Sequence, residues 1–231
     1  MAAPVFESGS TVGGNGHGTS VTLTKPGGVV ENDILTFHLN KENTESVTYP
    51  SGWTEAAFVD SGGSRAHYAW KRATASEPAS YVFSWASSPW RNASLSRISG
   101  CATSGDPNDV TPSTNAPAGS DTAVPCSSVT TVSDECLLIA MAAWLNDRTA
   151  SPPSGMTEQV DHLTQSVASV AQASAGASGD KSFTLSGAEA RRSGIIAALK
   201  PAGGAPPAGR PAQLNDQSAL PPLGAANEFA R

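Results

Sequence analysis

The four histidines, the side chains best suited to proton transfer and metal binding near neutral pH, are scattered along the chain. They are His17, His38, His67 and His162. No two of them have the spacing of a metal site, and the sequence contains neither H-E-x-x-H nor G-x-S-x-G. A Ser-His-Asp triad assembles in space rather than along the chain, so it stays open as an alternative. We expect a protein that is not an enzyme and that has no catalytic residue, metal or cofactor.

The segment from Ser104 to Asp109 offers the oxygen atoms that a calcium ion prefers. Asp106 and Asp109 supply carboxylates, and Asn108 supplies an amide. The spacing does not match an EF-hand loop, and Asp and Asn are also ordinary turn residues. We interpret the segment as a turn and keep an ion at Asp106 and Asp109 as the alternative.

Three cysteines are too few for a disulfide framework, and their spacing is not that of a zinc site. Cys136 begins the apolar run Cys136–Ala140 and is predicted to be a small core residue. Cys101 and Cys126 lie in loop-like sequence, and the question of a disulfide between them stays open.

Aromatic side chains are the remaining candidates for ligand contact, because their faces suit stacking on sugars. Those on predicted strands are Tyr68, Trp70, Tyr81, Phe83 and Trp85. Their alternation is typical of the core of a sandwich, where aromatic side chains bury a large apolar area. Trp90, in the turn-like segment Ser88–Asn92, is the best candidate for an exposed contact with a glycan or another surface.

The composition excludes several classes of partner. Charged residues make up 15% of the 231 residues and the formal net charge is −6, so we expect no basic surface for nucleic acid. The sequence has no run of about 18 apolar residues that would predict a membrane-spanning helix. Residues Met1–Pro4 have neither the basic nor the apolar part of an export signal. We expect neither nucleic acid nor a membrane as partner, and synthesis in a cytoplasm.

The elements that must position these side chains are β-strands, because Gly and Pro are abundant and apolar residues recur with period two. One stretch occurs twice: Pro50–Glu55 (PSGWTE) returns as Pro153–Glu158 (PSGMTE), an offset of 103 residues. A period of this length is too long for a solenoid repeat. We therefore predict a β-sandwich built from two pseudo-repeated four-strand halves.

The predicted sandwich covers residues 20–200 and is jelly-roll-like, with its halves at 20–100 and 127–200. A loop rich in Gly, Pro, Ser, Thr and Asp, with no periodicity, joins them at 101–126. A loop of that length within a compact domain is unusual and is often functional or held by a partner.

Two arms flank the predicted sandwich: a glycine-rich N-terminal arm at 1–19 and a Pro/Gly-rich C-terminal arm at 201–231. The C-terminal arm has too few apolar residues to form a core of its own, so we predict that it lies along a neighbouring protein. Its predicted partner-binding residues are Leu214, Leu220, Leu223, Phe229 and Arg231.

Four segments carry a family resemblance: Val30–Leu35, Pro50–Thr54, Ala75–Trp85 and Ile195–Ala202. Together they resemble a jelly-roll module of tailed-phage and prophage structural proteins, a group that includes capsid decoration, head fibre and minor tail proteins. The resemblance covers about residues 20–202. The chain departs from the pattern where Met156 replaces a second Trp and where Asn32, in place of Gly, precedes Asp33.

The resemblance implies a structural protein of a tailed bacteriophage virion, made in the host cytoplasm. The expected role is that of a capsid decoration or cement protein, which binds and stabilises the major capsid protein through its arms. We expect a homo-oligomer at a symmetry axis, with a trimer favoured. The alternative is a tail-associated or fibre protein that binds host-surface glycans.

Overall fold

The computed structural model describes residues 2–7 and 10–203, and this part of the chain consists of strands, turns and loops without a helix. It therefore contains no helix that could span a membrane. The strands are β1 (Val5–Phe6), β2 (Thr11–His17), β3 (Ser20–Thr24), β4 (Ile34–Glu42), β5 (Thr54–Asp60), β6 (Ser64–Arg72), β7 (Ser80–Ser84), β8 (Trp90–Ser99), β9 (Ser113–Asn115), β10 (Asp121–Cys126), β11 (Thr130–Thr131), β12 (Cys136–Trp144), β13 (Ala150–Ser151), β14 (Thr157–His162), β15 (Gln165–Gln172), β16 (Gly176–Ala177), β17 (Lys181–Glu189) and β18 (Arg192–Leu199). The predicted all-β class is confirmed.

Two large antiparallel sheets lie at the centre of the molecule. The first has the order β1-β8-β4-β6-β5, and β2 also pairs with β8. The second has the order β14-β15-β12-β18-β9. Three small sheets, β3-β7, β10-β17-β13 and β11-β16, complete the described architecture.

Three clusters of buried apolar side chains separate these sheets into layers. The first core lies between the β3-β7 sheet and the first large sheet, where Phe37 of β4 stacks on Phe83 of β7 with ring centroids 3.7 Å apart. The second core lies between the β10-β17-β13 sheet and the second large sheet, and includes Trp144 and Phe183. The central layer lies between the two large sheets and includes Tyr68 and Ile139. The arrangement is a β-sandwich of stacked antiparallel sheets.

Period-two alternation explains which side chains enter each layer. Along β4, Leu35, Phe37 and Leu39 point into the first core, while Ile34 points into the central layer. These are the two faces that period-two alternation from Ile34 to Leu39 predicts. The same rule applies to β7, where Tyr81 and Phe83 are buried, and the intervening Val82 is exposed.

The central layer changes from apolar to polar along the first large sheet. Opposed residues of β4 and β8 on this face are, in order, Ile34–Ile98, Thr36–Ser96, His38–Ser94 and Asn40–Asn92. All eight are buried. Ile34 and Ile98 pack against second-half residues, whereas Ser96 Oγ lies 2.8 Å from Ser10 Oγ of the N-terminal segment. Buried polar groups are favourable only where they are hydrogen-bonded, so the polar end of the layer depends on specific contacts.

The predicted four strands per half were too few. Six strands, β3 to β8, lie within 20–100, so this half already forms two facing sheets with a core between them. The predicted loop at 101–126 contains β9 and β10, and Val124 and Cys126 of β10 are fully buried. Pro125 masked this strand in the sequence, but β10 is an edge strand, where proline is tolerated.

The predicted N-terminal arm at 1–19 is packed onto the body in its described part. Its strands β1 and β2 both pair with β8 at the edge of the first large sheet. Glycine allows close packing here, because a Cβ on Gly13 would lie 2.9 Å from Leu23 of the first core. Glycine richness in this segment therefore reflects close packing rather than an extended arm.

The two PSG segments form similar turns. Trp53 N–H donates to the Pro50 carbonyl at 3.3 Å, and Met156 N–H donates to the Pro153 carbonyl at 3.0 Å. The glycine in each turn has a positive φ, 83° and 78°, as the third residue of a type II turn requires. The strand after each turn has a register irregularity, at Glu55/Ala57 in β5 and Glu158/Val160 in β14. An extra residue of this kind interrupts period-two alternation, so the sequence after each turn does not show the pattern of a strand.

Candidate functional site

The acidic loop uses its carboxylates to hold backbone amides. Asp106 Oδ1 accepts from the backbone N–H of Asn108 at 2.9 Å. Asp109 Oδ2 accepts from the backbone N–H groups of Val132 and Ser133 at 2.6 and 3.2 Å. Both are turn and loop contacts, and the described residues include no group of three or more acidic, His or Cys side chains able to hold a metal.

The cysteines are buried and unpaired in the described structure. Cys101 lies in the central layer and Cys126 in the second core, so a large sheet separates them and they cannot form a disulfide. Cys136 is buried, as predicted for a small core residue. Burial raises the pKa of all three thiols to about 12, which makes each a poor nucleophile.

One histidine has the carboxylate partner that a catalytic triad would need. His67 Nδ1 of β6 lies 2.8 Å from Glu55 Oε2 of β5, and the Tyr49 hydroxyl donates to the same oxygen. His67 Nε2 is buried and has no hydrogen-bond partner among the described residues, so no described hydroxyl or thiol is positioned there as a nucleophile. The contacts of Glu55 join β5 to β6 and to the preceding loop.

The strand aromatics belong mainly to the core, as predicted. Tyr68, Tyr81, Phe83 and Trp85 are buried, and Trp53 packs edge-on against Tyr81 and Phe83 at 5.3 and 5.1 Å. Trp90 differs from them because it is only partly buried.

Trp90 lies at a cleft of about 330 Å³ between the two halves of the chain, which we call the seam cleft. The first half contributes Glu42 at the end of β4 and Trp90 at the start of β8, and the N-terminal segment adds Asn15 of β2. The second half contributes Leu145–Asp147, which follow β12, and the Leu163–Thr164 turn between β14 and β15. This volume is at the lower end of the range of small-ligand pockets.

Strand register places the side chains of the cleft. Asn40 and Asn92 are opposed on the central-layer face. Glu42 lies two residues after Asn40, and Trp90 lies two residues before Asn92 on the antiparallel strand. Because alternate residues share a face, Glu42 and Trp90 continue the same row to its outer end. The cleft is therefore the open end of the polar part of the central layer.

Two buried asparagines hold the walls of the cleft together. Asn40 Nδ2 donates to the carbonyls of Trp144 and Thr164 at 2.6 and 2.9 Å, and lies 2.9 Å from Thr164 Oγ1. Asn92 Nδ2 donates to the carbonyl of His162 at 2.9 Å. Hydrogen bonds from a buried amide fix both distance and orientation, so the halves are held in one arrangement at this edge.

The polar groups at the rim of the cleft are not used internally. Within the described part of the chain, the side chains of Asn15, Glu42, Trp90 and Asp147 make no hydrogen bond, ion pair or ring contact. Two carboxylates, one amide and one indole are thus available to a ligand.

A second hollow, of about 360 Å³, is lined by residues of two segments that carry the family resemblance. Its lining includes Glu77, whose buried carboxylate pairs with Lys71 Nζ at 2.8 Å and accepts from the Tyr81 hydroxyl at 2.6 Å. The carboxylate also accepts from the Thr74 backbone N–H at 2.7 Å. Burial alone would raise the pKa of Glu77, but these hydrogen bonds outweigh it and lower the pKa to about 2. These groups stabilise the fold.

A third hollow, of about 450 Å³, brings Trp70 near Glu55, Asp106 and Asp109. Each of these three carboxylates already accepts hydrogen bonds from the protein. Trp70 Nε1 in this hollow has no partner among the described residues, but the carboxylates of the hollow are engaged. The seam cleft differs from these two hollows in its free carboxylates.

Sequence reasoning identified Trp90 but missed its neighbours Asn15, Glu42 and Asp147. They come from three separate segments, so no local spacing connects them. The available signal was the row of alternate residues that leads along β8 from Asn92 to Trp90.

The predicted partner-binding residues Leu214, Leu220, Leu223, Phe229 and Arg231 lie outside the described residues. Comparison of the chain with protein-family models, with curated proteins and with solved structures finds no match.

Proposed function

We propose that this chain is a structural protein of a tailed bacteriophage virion, a capsid decoration protein that binds and stabilises the major capsid protein. The observation that carries the proposal is that the segments with the family resemblance supply side chains to the first core and its edge. Trp53, Tyr81 and Phe83 pack together in the first core, and Glu77 joins Lys71 to Tyr81 at its edge. Their side chains serve packing, as expected of a structural module.

The finer fold proposal is a jelly-roll-like body of two pseudo-repeated units. It is supported by the similar turns at Gly52 and Gly155 and by the register irregularities that follow both. The strand order β5-β6-β4-β8 in the first large sheet has its counterpart in β14-β15-β12-β18 in the second. Two such units, packed together through the central layer, would form a body large and stiff enough to bridge neighbouring capsid subunits.

Residues 204–231 are the proposed contact with the major capsid protein. Their attachment point is well defined, because Pro201 is buried and bridged to Cys101, and Ala202 N–H donates to the Gly100 carbonyl at 2.8 Å. Apolar residues at Leu214, Leu220 and Phe229 would supply contact area. A homotrimer at a capsid symmetry axis would multiply these contacts and so raise the overall affinity.

A role by binding alone, rather than by catalysis, fits the polar groups described. The Glu55–His67 pair has no nucleophile within the described residues, and the thiol pKa values are raised. The proposed location is the virion, after synthesis in the host cytoplasm.

The test is binding to purified phage capsids that lack this protein. The full chain should bind in a fixed ratio to the major capsid protein, and a chain ending at Gly203 should lose most of that binding. The variant Phe58→Ala is the control, because Phe58 is 50% exposed and lies on the body, and it should bind like the unchanged protein. Equal binding by the full and shortened chains would contradict the proposed contact, and failure of the full chain to bind any capsid would contradict the capsid role.

A further inference from the structure

The seam cleft combines features that single out one kind of ligand. An indole offers a flat apolar face, which suits the C–H face of a sugar ring. The Glu42 and Asp147 carboxylates accept hydrogen bonds from hydroxyl groups, and the Asn15 amide both donates and accepts. A ligand that presents an apolar face on one side and hydroxyls around its edge matches this set.

The charge of the cleft restricts the choice further. Glu42 and Asp147 are both acidic, and the cationic side chains near the first-half wall are engaged elsewhere. Arg91 donates to the backbone carbonyls of Gly16 and Ser20, and buried Lys41 Nζ donates to the Glu45 carbonyl at 2.8 Å. On the second-half side, Arg148 follows Asp147 and pairs with Glu189 at 3.0 Å. Among the described residues these cations are therefore engaged, and an anionic ligand would meet two carboxylates first, so a neutral ligand is favoured.

The cleft is also preformed. Asn40 and Asn92 hold its two walls together through buried hydrogen bonds. Leu163 of the second-half wall has a φ of 56°, in the left-handed region that a bulky residue rarely adopts. Leu163 is the first residue of the two-residue turn that joins the paired His162 and Gln165, where a tight hairpin requires a positive φ, so this wall has a defined backbone conformation. A preformed site loses less entropy when a ligand binds.

We propose that the seam cleft is a binding site for neutral saccharides, with one pyranose ring stacked on Trp90 and its hydroxyls bonded to Glu42, Asp147 and Asn15. This function goes beyond the proposed capsid role and does not depend on it, because none of these residues belongs to 204–231. Combined with the proposed capsid role, the site would give a particle a weak attachment to glycans, strengthened by the number of copies.

The experiment uses the full chain labelled with ¹⁵N and follows its tryptophan indole N–H signals by NMR. The probes are lactose, maltose and chitobiose, with 3′-sialyllactose as the anionic counterpart of lactose. At least one neutral disaccharide should shift the Trp90 signal with a dissociation constant of about 1 mM or below, equivalent to about 4 kcal/mol of binding free energy. The signals of the buried Trp53, Trp85 and Trp144 should stay in place.

Variants separate the stacking contact from a general effect on the fold. Trp90→Ala should weaken binding at least tenfold, Trp90→Phe should retain part of it, and Phe58→Ala should leave it unchanged. Glu42→Gln, which keeps the size of the side chain, should weaken binding of the neutral sugar several-fold and reduce discrimination against 3′-sialyllactose. The chain ending at Gly203 should bind as the full chain does, which keeps this test independent of capsid binding.

Three results would overturn the proposal. The first is that none of the neutral disaccharides shifts the Trp90 signal at concentrations tenfold above the expected dissociation constant. The second is that Phe58→Ala weakens binding as much as Trp90→Ala. The third is that 3′-sialyllactose binds as tightly as lactose, which would contradict the role of the two carboxylates.

Discussion

The hydrogen bonds of Asn40 predict a large loss of stability when its side chain is removed. Asn40 is 2% exposed, and its Nδ2 donates to carbonyls of the second half while its Oδ1 accepts from the Ser64 hydroxyl at 2.8 Å. Asn40→Ala therefore removes a link between the halves and leaves partners from both halves unsatisfied.

The magnitude follows from these contacts. Each lost hydrogen bond costs about 1 kcal/mol net, and each acceptor or hydroxyl left buried without a partner costs about 1–3 kcal/mol. The Thr164 carbonyl keeps the Trp144 N–H as a donor at 3.0 Å, which limits the loss there. We expect Asn40→Ala to lower the free energy of unfolding by about 3–4 kcal/mol. Asn40→Asp, which sets a carboxylate against two carbonyl oxygens, should cost at least as much.

Urea denaturation followed by tryptophan fluorescence measures this loss, with the slope m checked for two-state behaviour. The control is Asn15→Ala, an exposed amide with no hydrogen bond among the described residues, which should change stability by less than about 0.5 kcal/mol. If Asn40→Ala and Asn40→Asp each lower the free energy of unfolding by less than about 1 kcal/mol, this side chain does not hold the two halves together at the seam cleft. The argument for a preformed cleft then fails.

Three further predictions concern buried residues in other parts of the sandwich. Glu77→Gln breaks a buried pair with Lys71 and should lower the free energy of unfolding by about 3 kcal/mol in urea denaturation at pH 7. Because the pKa of Glu77 is lowered to about 2, the stability that this carboxylate contributes is present above pH 4.5 and is lost as pH falls toward 2. Burial lowers the pKa of His38 to about 3, so below pH 6.5 the unfolded state binds a proton that the folded state excludes. The free energy of unfolding should then fall by up to about 1.4 kcal/mol per pH unit between pH 6.5 and 5, and His38→Leu should flatten that slope; an unchanged slope would rule out this histidine as its cause. Gly194→Ala would drive a Cβ into the Pro125 carbonyl oxygen and should cost about 3 kcal/mol or more by thermal denaturation, whereas a loss under about 1 kcal/mol would mean that β10 can move away from β18.

Local alternation predicted much of the fold correctly. The strands at Ser20–Thr24 and Cys136–Trp144, and the two faces of β4, follow from apolar residues with period two or in continuous runs. Alternation does not reveal β5 and β14, because an extra residue interrupts it in each. The strand β10 was missed because Pro125 and the surrounding polar residues are typical of loops.

The candidate site was predicted only through Trp90, because its other members come from segments far apart in the sequence. Trp90 stands out as a large aromatic residue in a turn-like segment. Glu42 and Asp147 are ordinary surface acids until the halves are brought together. Their proximity depends on the packing of two sheets, which no spacing within the sequence records.

The sequence by itself determined the all-β class, the aromatic first core and the two PSG turns, because strand alternation and glycine conformations are local properties. Only the tertiary structure decided what covers the polar face of the first large sheet. Asn92, Ser94 and Ser96 alternate with Ala93 and Leu95, a pattern equally suited to a face in water. In the fold that face is buried, Asn40 and Asn92 donate to carbonyls of the second half, and Trp90 lies at an open cleft. Alternation shows that two faces differ, but contact between distant segments decides which of them meets solvent.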